Sequence, residues 1–333
     1  MTETYKKKDF VSDQEVKWCP GCGDYAILAA TQMAMAQLGI APHKTAVISG
    51  IGCSSRFPYY MNTYGMHTIH GRAPGFVTGL KLTNPELSVW MITGDGDGLS
   101  IGGNHLAHII RRNIDVNIIL FNNEIYGLTK GQYSPTSQVG LKTKSTPYGS
   151  LDRAFSPMSF ALGAGSTFFA RTMDTDPKHM IEVMKAAHEH KGCSVIEVYQ
   201  NCVIFNDKVH DEFTNRKTRD EHTVRVEDGK PLIFGKEKDK GIRLAGLNLE
   251  SVTIEGESDP LVKELHVHDP SDKTQAFLYS QMQEIVPMGV LLQTKGEVPY
   301  NEAVHEQIAH VKKTSQKKSF KDLLYSGDTW EVN

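Results

Sequence analysis

The sequence predicts an α/β protein built on a doubly wound, mostly parallel sheet, with a C-terminal extension. Three observations predict it: apolar strand-like runs alternate with helical ones from about residue 24 to 200, the strand-like runs end in Gly, Asp or Asn, and the chain changes character after Asn206. Strand and helix alternating at this spacing form βαβ units, because parallel strands need a crossover of a dozen or more residues. Such sheets take ligands outside the carboxyl ends of their strands, where the polar and glycine residues of this chain collect.

The elements follow in order. Asp24 to Leu38 is rich in Ala and Met with apolar residues at helical spacing, and Gly39 and Pro42 stop it. Thr45–Ser49 is a short apolar run, read as a buried strand, and Gly50 ends it. Residues 75–82 read as helix, Leu87–Thr93 as a strand running into Gly94-Asp-Gly-Asp-Gly, residues 99–112 as helix, and Val116–Phe121 as a strand ending at Asn122-Asn123. Pro177 opens an amphipathic helix to His190, followed by the strand Ser194–Val198. Residues 1–206 are therefore expected to form one α/β domain. From Asp207 to Lys240, 18 of 34 residues are charged, nine of each sign, which describes a solvated arm or a partner-docking arm. Weak apolar segments at 244–254 and 276–292 suggest that 207–333 packs on the main domain or on a partner subunit.

Composition narrows the function. The 333 residues carry a net charge of −3, so no broad basic footprint exists and nucleic acid is not an expected partner. No run approaches the roughly 20 apolar residues of a membrane helix, and the polar, lysine-rich start does not read as a signal peptide; a cytoplasmic protein is expected. Five cysteines at low density argue against a secreted disulfide scaffold.

Two constellations carry chemistry. The first is Gly94-Asp95-Gly96-Asp97 and, one helical crossover later, Asn122-Asn123. An Asp and an Asn at two neighbouring strand ends can face one divalent ion, and Mg2+ wants six oxygens, often shared with phosphates. The glycines let the backbone approach a diphosphate, and a helix starting near Leu99 would aim N–H groups at it. The second is Trp18-Cys19-Pro20-Gly21-Cys22-Gly23, with Cys53 and Cys202 farther along. A thioredoxin-type redox pair should follow a buried strand, whereas polar Ser12–Lys17 precedes this one. A zinc site would show a second close ligand pair. A 4Fe–4S cluster accepts two close cysteines and two remote ones. The spacing alone leaves all three open.

Taken together, Trp-Cys-Pro-Gly-Cys-Gly, Gly50-Ile-Gly-Cys-Ser-Ser-Arg56, Thr68-Ile-His-Gly-Arg72, Gly94-Asp-Gly-Asp-Gly, Asn122-Asn-Glu-Ile-Tyr-Gly-Leu-Thr-Lys-Gly-Gln132 and Tyr199-Gln-Asn-Cys202 resemble the β subunit of a 2-oxoacid:ferredoxin oxidoreductase, most closely the 2-oxoglutarate type. The resemblance covers roughly residues 15–210. It implies a sheet of the thiamine diphosphate-binding type. It also implies that Cys19, Cys22, Cys53 and Cys202 hold one 4Fe–4S cluster, and that Asp95, the Asn123 side chain and the Ile125 carbonyl bind Mg2+. Cys193, which is left over, reads as a small buried residue.

The cofactor-binding residues so implied are Ile51, Gly52, Cys53, His70, Gly94, Asp95, Gly96, Asp97, Asn123, Ile125, Gly127, Leu128 and Thr129. Arg56, Leu128 and Lys130 are the expected substrate contacts, since a second carboxylate needs a cation in a closed pocket. The implied reaction is oxidative decarboxylation of 2-oxoglutarate with coenzyme A to succinyl-CoA and CO2, as in the TCA cycle, with electrons passing through the cluster to ferredoxin. The same residues serve both directions. The activating glutamate is expected from a separate α subunit, giving an αβ or (αβ)2 enzyme. Alternatives are a pyruvate or broad 2-oxoacid enzyme, a non-oxidative thiamine-dependent decarboxylase subunit, and a non-catalytic iron–sulfur or zinc module. His105 and His108 are spaced like a helical ligand pair but are read as packed or solvated, and His188/His190 and His266/His268, with no Cys or further His beside them, are read as solvated.

Overall fold

The structure is a computed structural model and describes residues 4–315 and 318–332. Eleven strands are present among them: β1 (Thr45–Ser49), β2 (Tyr64–His67), β3 (Ser88–Gly94), β4 (Val116–Asn122), β5 (Phe168–Met173), β6 (Cys193–Tyr199), β7 (Thr223–Arg225), β8 (Ile233–Phe234), β9 (Lys240–Ala245), β10 (Asn248–Thr253) and β11 (Val286–Gln293). Eight form one sheet in the order β2-β1-β3-β4-β6-β5-β11-β7, and β10-β9-β8 form a second. All pairs from β2 to β5 are parallel.

Both faces of the central strands are apolar, so each strand reads as a continuous run rather than an alternation. Val89 and Met91 of β3 and Ile118 and Leu120 of β4 face one layer, with Val77, Leu106, Ile109 and Met158. Trp90, Ile92, Ile119 and Phe121, one position along, face the other, with Ile27, Met35, Met180 and Val183. Full burial of each such side chain stabilises the fold by roughly 1.5–3 kcal/mol. Helices α1 (Asp24–Gln37) and α6 (Pro177–Glu189) cover that second face; α2 (Ala73–Thr83), α4 (Gly103–Arg111) and α5 (Pro157–Gly163) cover the first.

The expected helix over 99–112 is two helices, the short α3 (Asp95–Leu99) and α4. The break has a cause. Gly71, at φ +68, sits so close that a Cβ there would lie 2.4 Å from the Gly102 nitrogen. Arg72 donates to the Ile101 carbonyl at 2.9 Å. The 68–72 loop thus pins the chain between the two helices, and the helix nearest the glycine turn starts at Asp95 instead of Leu99.

The segment after residue 206 contributes to the main sheet. β11 pairs antiparallel with β5 and β7 pairs parallel with β11. Buried Ala276, Tyr279, Leu291 and Leu292 join the first apolar layer. No helix among the described residues is long and apolar enough to cross a membrane.

Candidate active site

From β1 the chain passes outward to β2 on one side and then returns to β3 on the other, so crossover direction reverses at β1/β3. Ligands of open α/β sheets bind at such a reversal. Four adjacent parallel strands, β1, β3, β4 and β6, end at this edge, and the next few residues after each supply Cys53, Asp95, Asn123 and Cys202. A cleft lies there. Its lining contains every cofactor residue expected from the sequence: Ile51, Gly52, Cys53, His70, Gly94–Asp97, Asn123, Ile125 and Gly127–Thr129. Ser54, Phe121 and Tyr126 complete it.

Asp97 ties the walls together. Its Oδ1 accepts from the backbone N–H of Ile51 (3.0 Å) and Gly71 (2.7 Å), and its Oδ2 from Thr93 Oγ1 (2.8 Å). His70 Nδ1 lies 2.8 Å from the same Oδ1, which places the imidazole beside a carboxylate at the cleft wall. A Cβ on Gly50 would come within 2.0 Å of Asp97 Oδ2, which is why a glycine stands there.

Asp95 is buried at 3% exposure, and its Oδ2 accepts from Ser134 Oγ and Thr136 Oγ1, each at 2.5 Å. Burial pushes its carboxyl up, against the pull of those hydroxyls. Asn123 Nδ2 donates to Gln200 Oε1 (2.6 Å), and its Oδ1 accepts from Ile125 N–H (3.2 Å). Between them Glu124 adopts φ +55, with its carbonyl held by Ser137 Oγ (2.5 Å) and Asn206 Nδ2 (3.3 Å). This left-handed residue turns the chain between Asn123 and Ile125. One buried carboxylate, one amide oxygen and one backbone carbonyl beside a glycine-lined cleft fit a hard cation that shares its shell with a diphosphate. A Cβ built on Gly52 meets nothing within 4 Å, so this stretch of wall leaves backbone open to a ligand.

Cys53 and Cys202 meet at the Gly127 turn of the cleft wall. A Cβ at Gly127 would lie 3.5 Å from Cys202 Sγ and 3.6 Å from Cys53 Sγ. Trp18 donates its indole N–H to the Cys53 carbonyl at 2.7 Å, tying the Cys19–Cys22 turn to the β1 loop. Gln200 Nε2 lies 3.4 Å from Cys22 Sγ, so one amide bridges Asn123 and a cysteine. Burial, then the nearby Asp24, pushes the Cys22 thiol up, and Cys53 is pushed up to about 12 by the same two causes, with Cys202 and Cys19 adding to it. These thiolates need a compensating cation, as iron would provide. All four cysteines are free thiols, and Cys193 is free and buried elsewhere. No three His, Cys, Asp or Glu among the described residues converge as on a single ion. Neither expected site requires that: a cluster spreads its four sulfurs over separate irons, and the oxygen site uses a single acid.

The substrate residues are less tightly grouped. Leu128 lines the cleft mouth, half exposed. Arg56 follows Cys53 and is held by Tyr60 OH at 2.9 Å. Lys130, at φ +74, lines the neighbouring cleft with Lys142, Lys144 and Phe205. Two histidines read as solvated are buried instead. His190 bonds Thr167 Oγ1 (2.8 Å), and His268 bonds Gln275 Oε1 (3.1 Å) and the Val290 carbonyl (2.9 Å). Neighbouring acceptors satisfy the rings, which charge spacing does not reveal. Also missed were Ser134, Thr136 and Gln200. They carry no spacing signal, because Ser134 lies 39 residues after Asp95 in a run that reads as a turn.

Two buried acids make the cofactor-free protein pH-sensitive. Burial pushes both Asp24 and Glu124 up to about 7. Each therefore keeps its proton in the folded chain where the unfolded chain has lost it. That stabilisation is complete below the unfolded values near 4 and is lost as pH rises through about 7. His179 and His210, held down at about 4 by burial, act oppositely but only below about 6.5. Between pH 6.5 and 8 the urea midpoint of the cofactor-free chain is expected to fall, and Glu124→Gln to flatten the fall. A midpoint that stays level or rises would contradict it.

Comparison with known proteins agrees with this geometry. Residues 50–198 match the thiamine pyrophosphate enzyme, C-terminal TPP binding domain family. The chain is 46% identical to the 2-oxoglutarate oxidoreductase subunit KorB of Mycobacterium tuberculosis over 98% of its length and 89% of that protein's. It is 51% identical to the β subunit of 2-oxoacid:ferredoxin oxidoreductase 1 of Aeropyrum pernix, over 59% of this chain and 62% of that one. Among solved structures it is similar to the 2-oxoglutarate:ferredoxin oxidoreductase from Magnetococcus marinus with 2-oxoglutarate, coenzyme A and succinyl-CoA bound. The TM-score is 0.78 at 32% identity, covering 97% of this chain and 96% of the other. With relatives this similar over nearly its whole length, the chain belongs to the β-subunit family of the 2-oxoacid:ferredoxin oxidoreductases, on its 2-oxoglutarate branch.

Proposed function

We propose that this chain is the cofactor-binding β subunit of a cytoplasmic 2-oxoglutarate:ferredoxin oxidoreductase. It would act with an α subunit, as αβ or (αβ)2, to convert 2-oxoglutarate and coenzyme A to succinyl-CoA and CO2, with electrons delivered to ferredoxin. The observation that carries this reading is the delivery of Cys53, Asp95 and Asn123 to one cleft by the adjacent parallel strands β1, β3 and β4, with Cys202, after the neighbouring β6, behind the Gly127 wall of that cleft. Bound thiamine diphosphate supplies the electron sink for decarboxylation.

The chain's own residues hold and orient. Asp95, Asn123 and the Ile125 carbonyl would take Mg2+, and Asp97, through the Ile51 and Gly71 N–H groups, holds the two loops that would flank the diphosphate. Cys19, Cys22, Cys53 and Cys202 would hold a 4Fe–4S cluster within reach of the cleft, since Cys53 lines it. Glu124 does not line the cleft, so the activating carboxylate is expected from the α subunit.

Arg56, with Lys130 on the flank, would meet the distal carboxylate of the substrate. A hydrogen bond to a charged group contributes about 1.5–3 kcal/mol, or roughly 10–150-fold. In the complex with its α subunit, Arg56→Ala combined with Lys130→Ala is therefore expected to raise KM for 2-oxoglutarate by about that factor. The KM for 2-oxobutyrate, which lacks the second carboxylate, should move little. Equal effects on both would remove the role, and wild-type preference for pyruvate would overturn the 2-oxoglutarate reading.

A further inference from the structure

Asp95 is held in a way that the thiamine motif does not require. Its Oδ2 receives two hydroxyls at 2.5 Å, Ser134 Oγ and Thr136 Oγ1, and all three side chains are at most 3% exposed. A carboxylate oxygen has about two lone-pair sites, so Oδ2 is filled and Oδ1 is the atom left for a cation. The segment that brings the hydroxyls is itself locked. Ser134 N–H donates to Ser137 Oγ (2.8 Å), and Ser137 Oγ donates to the Glu124 carbonyl (2.5 Å). Behind it runs a buried chain of contacts. Thr136 Oγ1 is 3.0 Å from Asn122 Oδ1, Asn122 Nδ2 donates to Glu197 Oε1 (2.8 Å), and Glu197 Oε2 accepts from Arg171 Nε (2.7 Å). The Thr136 proton has two acceptors, and the shorter contact, to the charged one, holds it.

We propose that Ser134 and Thr136 are positioning residues that restrict Asp95 to one-oxygen coordination and thereby make the site select Mg2+ over Ca2+. Mg2+ demands compact octahedral geometry at about 2.0–2.1 Å, whereas Ca2+ takes 6–8 oxygens at about 2.3–2.6 Å and accepts carboxylates through both oxygens. With Oδ2 occupied, the carboxylate cannot swing to present both. The pair also removes the freedom to rotate that a compact cation would otherwise have to freeze.

The inference rests on Asp95 being the cation's carboxylate, and the test separates the two. The full chain in complex with its α subunit, stripped of cations, is titrated with Mg2+ and with Ca2+ in the presence of thiamine diphosphate, by calorimetry. Thr136→Val keeps the shape and removes the hydroxyl. Loss of an outer partner of a metal ligand typically costs about 10–100-fold in affinity, so Mg2+ binding is expected to weaken by that factor. Ca2+ binding should change by less than about threefold, because the freed oxygen suits the larger shell. Thr136→Ser should restore the ratio. Ser134→Ala should shift it in the same direction and carries the test if the valine variant does not fold. Unchanged Mg2+ affinity, a parallel fall for both ions, or no rescue by serine would overturn the proposal. Wild-type protein that binds thiamine diphosphate without any divalent cation would overturn the cation reading itself, and this proposal with it.

Discussion

Asp95→Asn is expected to lower turnover of 2-oxoglutarate by at least about a thousandfold while raising the thermal midpoint of the cation-free protein. The two signs follow from one fact. Asp95 is a carboxylate at 3% exposure whose ionised form is disfavoured by burial. Asparagine has nearly the same shape and keeps an oxygen for Ser134 and Thr136, so packing is preserved. It does not present a charge to a divalent ion, and losing several kcal/mol of cation binding is worth a factor of a thousand or more. Without the cation the same charge is a burden on the fold, because an unpaired buried carboxylate is costly. Turnover of the αβ complex and calorimetric melting of the chain without Mg2+ measure the two halves. Activity within tenfold of wild type would remove Asp95 from the cation site. A midpoint that falls would show the charge to be structural.

Much of this site was legible because its residues sit at strand ends, where apolar runs stop against glycine and polar residues. Thr45–Ser49 and Val116–Asn122 are buried on both faces, and the sequence shows each as a mostly apolar run followed within a residue or two by residues that line the cleft. What could not be read were contacts set by tertiary approach. The break between α3 and α4 comes from Gly71 pressing on Gly102, 31 positions away, and no local propensity encodes it. β5 escaped notice because Arg171 interrupts its apolar pattern; its charge is answered by Glu197 on β6, a partner that only the sheet brings alongside. The charged stretch after residue 206 suggested a solvated arm. Some of its charges are paired, as in Arg225–Asp176 and Lys240–Glu221, and a short strand from it, β7, joins the main sheet beside β11.

Cys202→Ser is the second change with a large expected effect, and it isolates electron transfer from cofactor binding. Wild-type chain purified without oxygen is expected to carry about four irons and four sulfides, as four thiolates would hold. Serine is nearly isosteric, so the short turn in which Asn206 N–H donates to the residue 202 carbonyl (3.1 Å) should survive. Its hydroxyl is a far weaker iron ligand than a thiolate, so iron content should fall to a small fraction of wild type. Reduction of ferredoxin by 2-oxoglutarate should fall with it, while thiamine diphosphate affinity should hold, because Asp95 and Asn123 are untouched. Cys193→Ala is the control. Cys193 is fully buried at the start of β6, with its backbone N–H on Asn113 Oδ1 at 2.8 Å, and its removal should leave iron unchanged. If Cys193→Ala lost iron and Cys202→Ser kept it, the ligand assignment would be wrong. If wild-type chain carried one zinc or no metal, the electron-transfer step would go, and a non-oxidative decarboxylase subunit would be the better account of the same cleft.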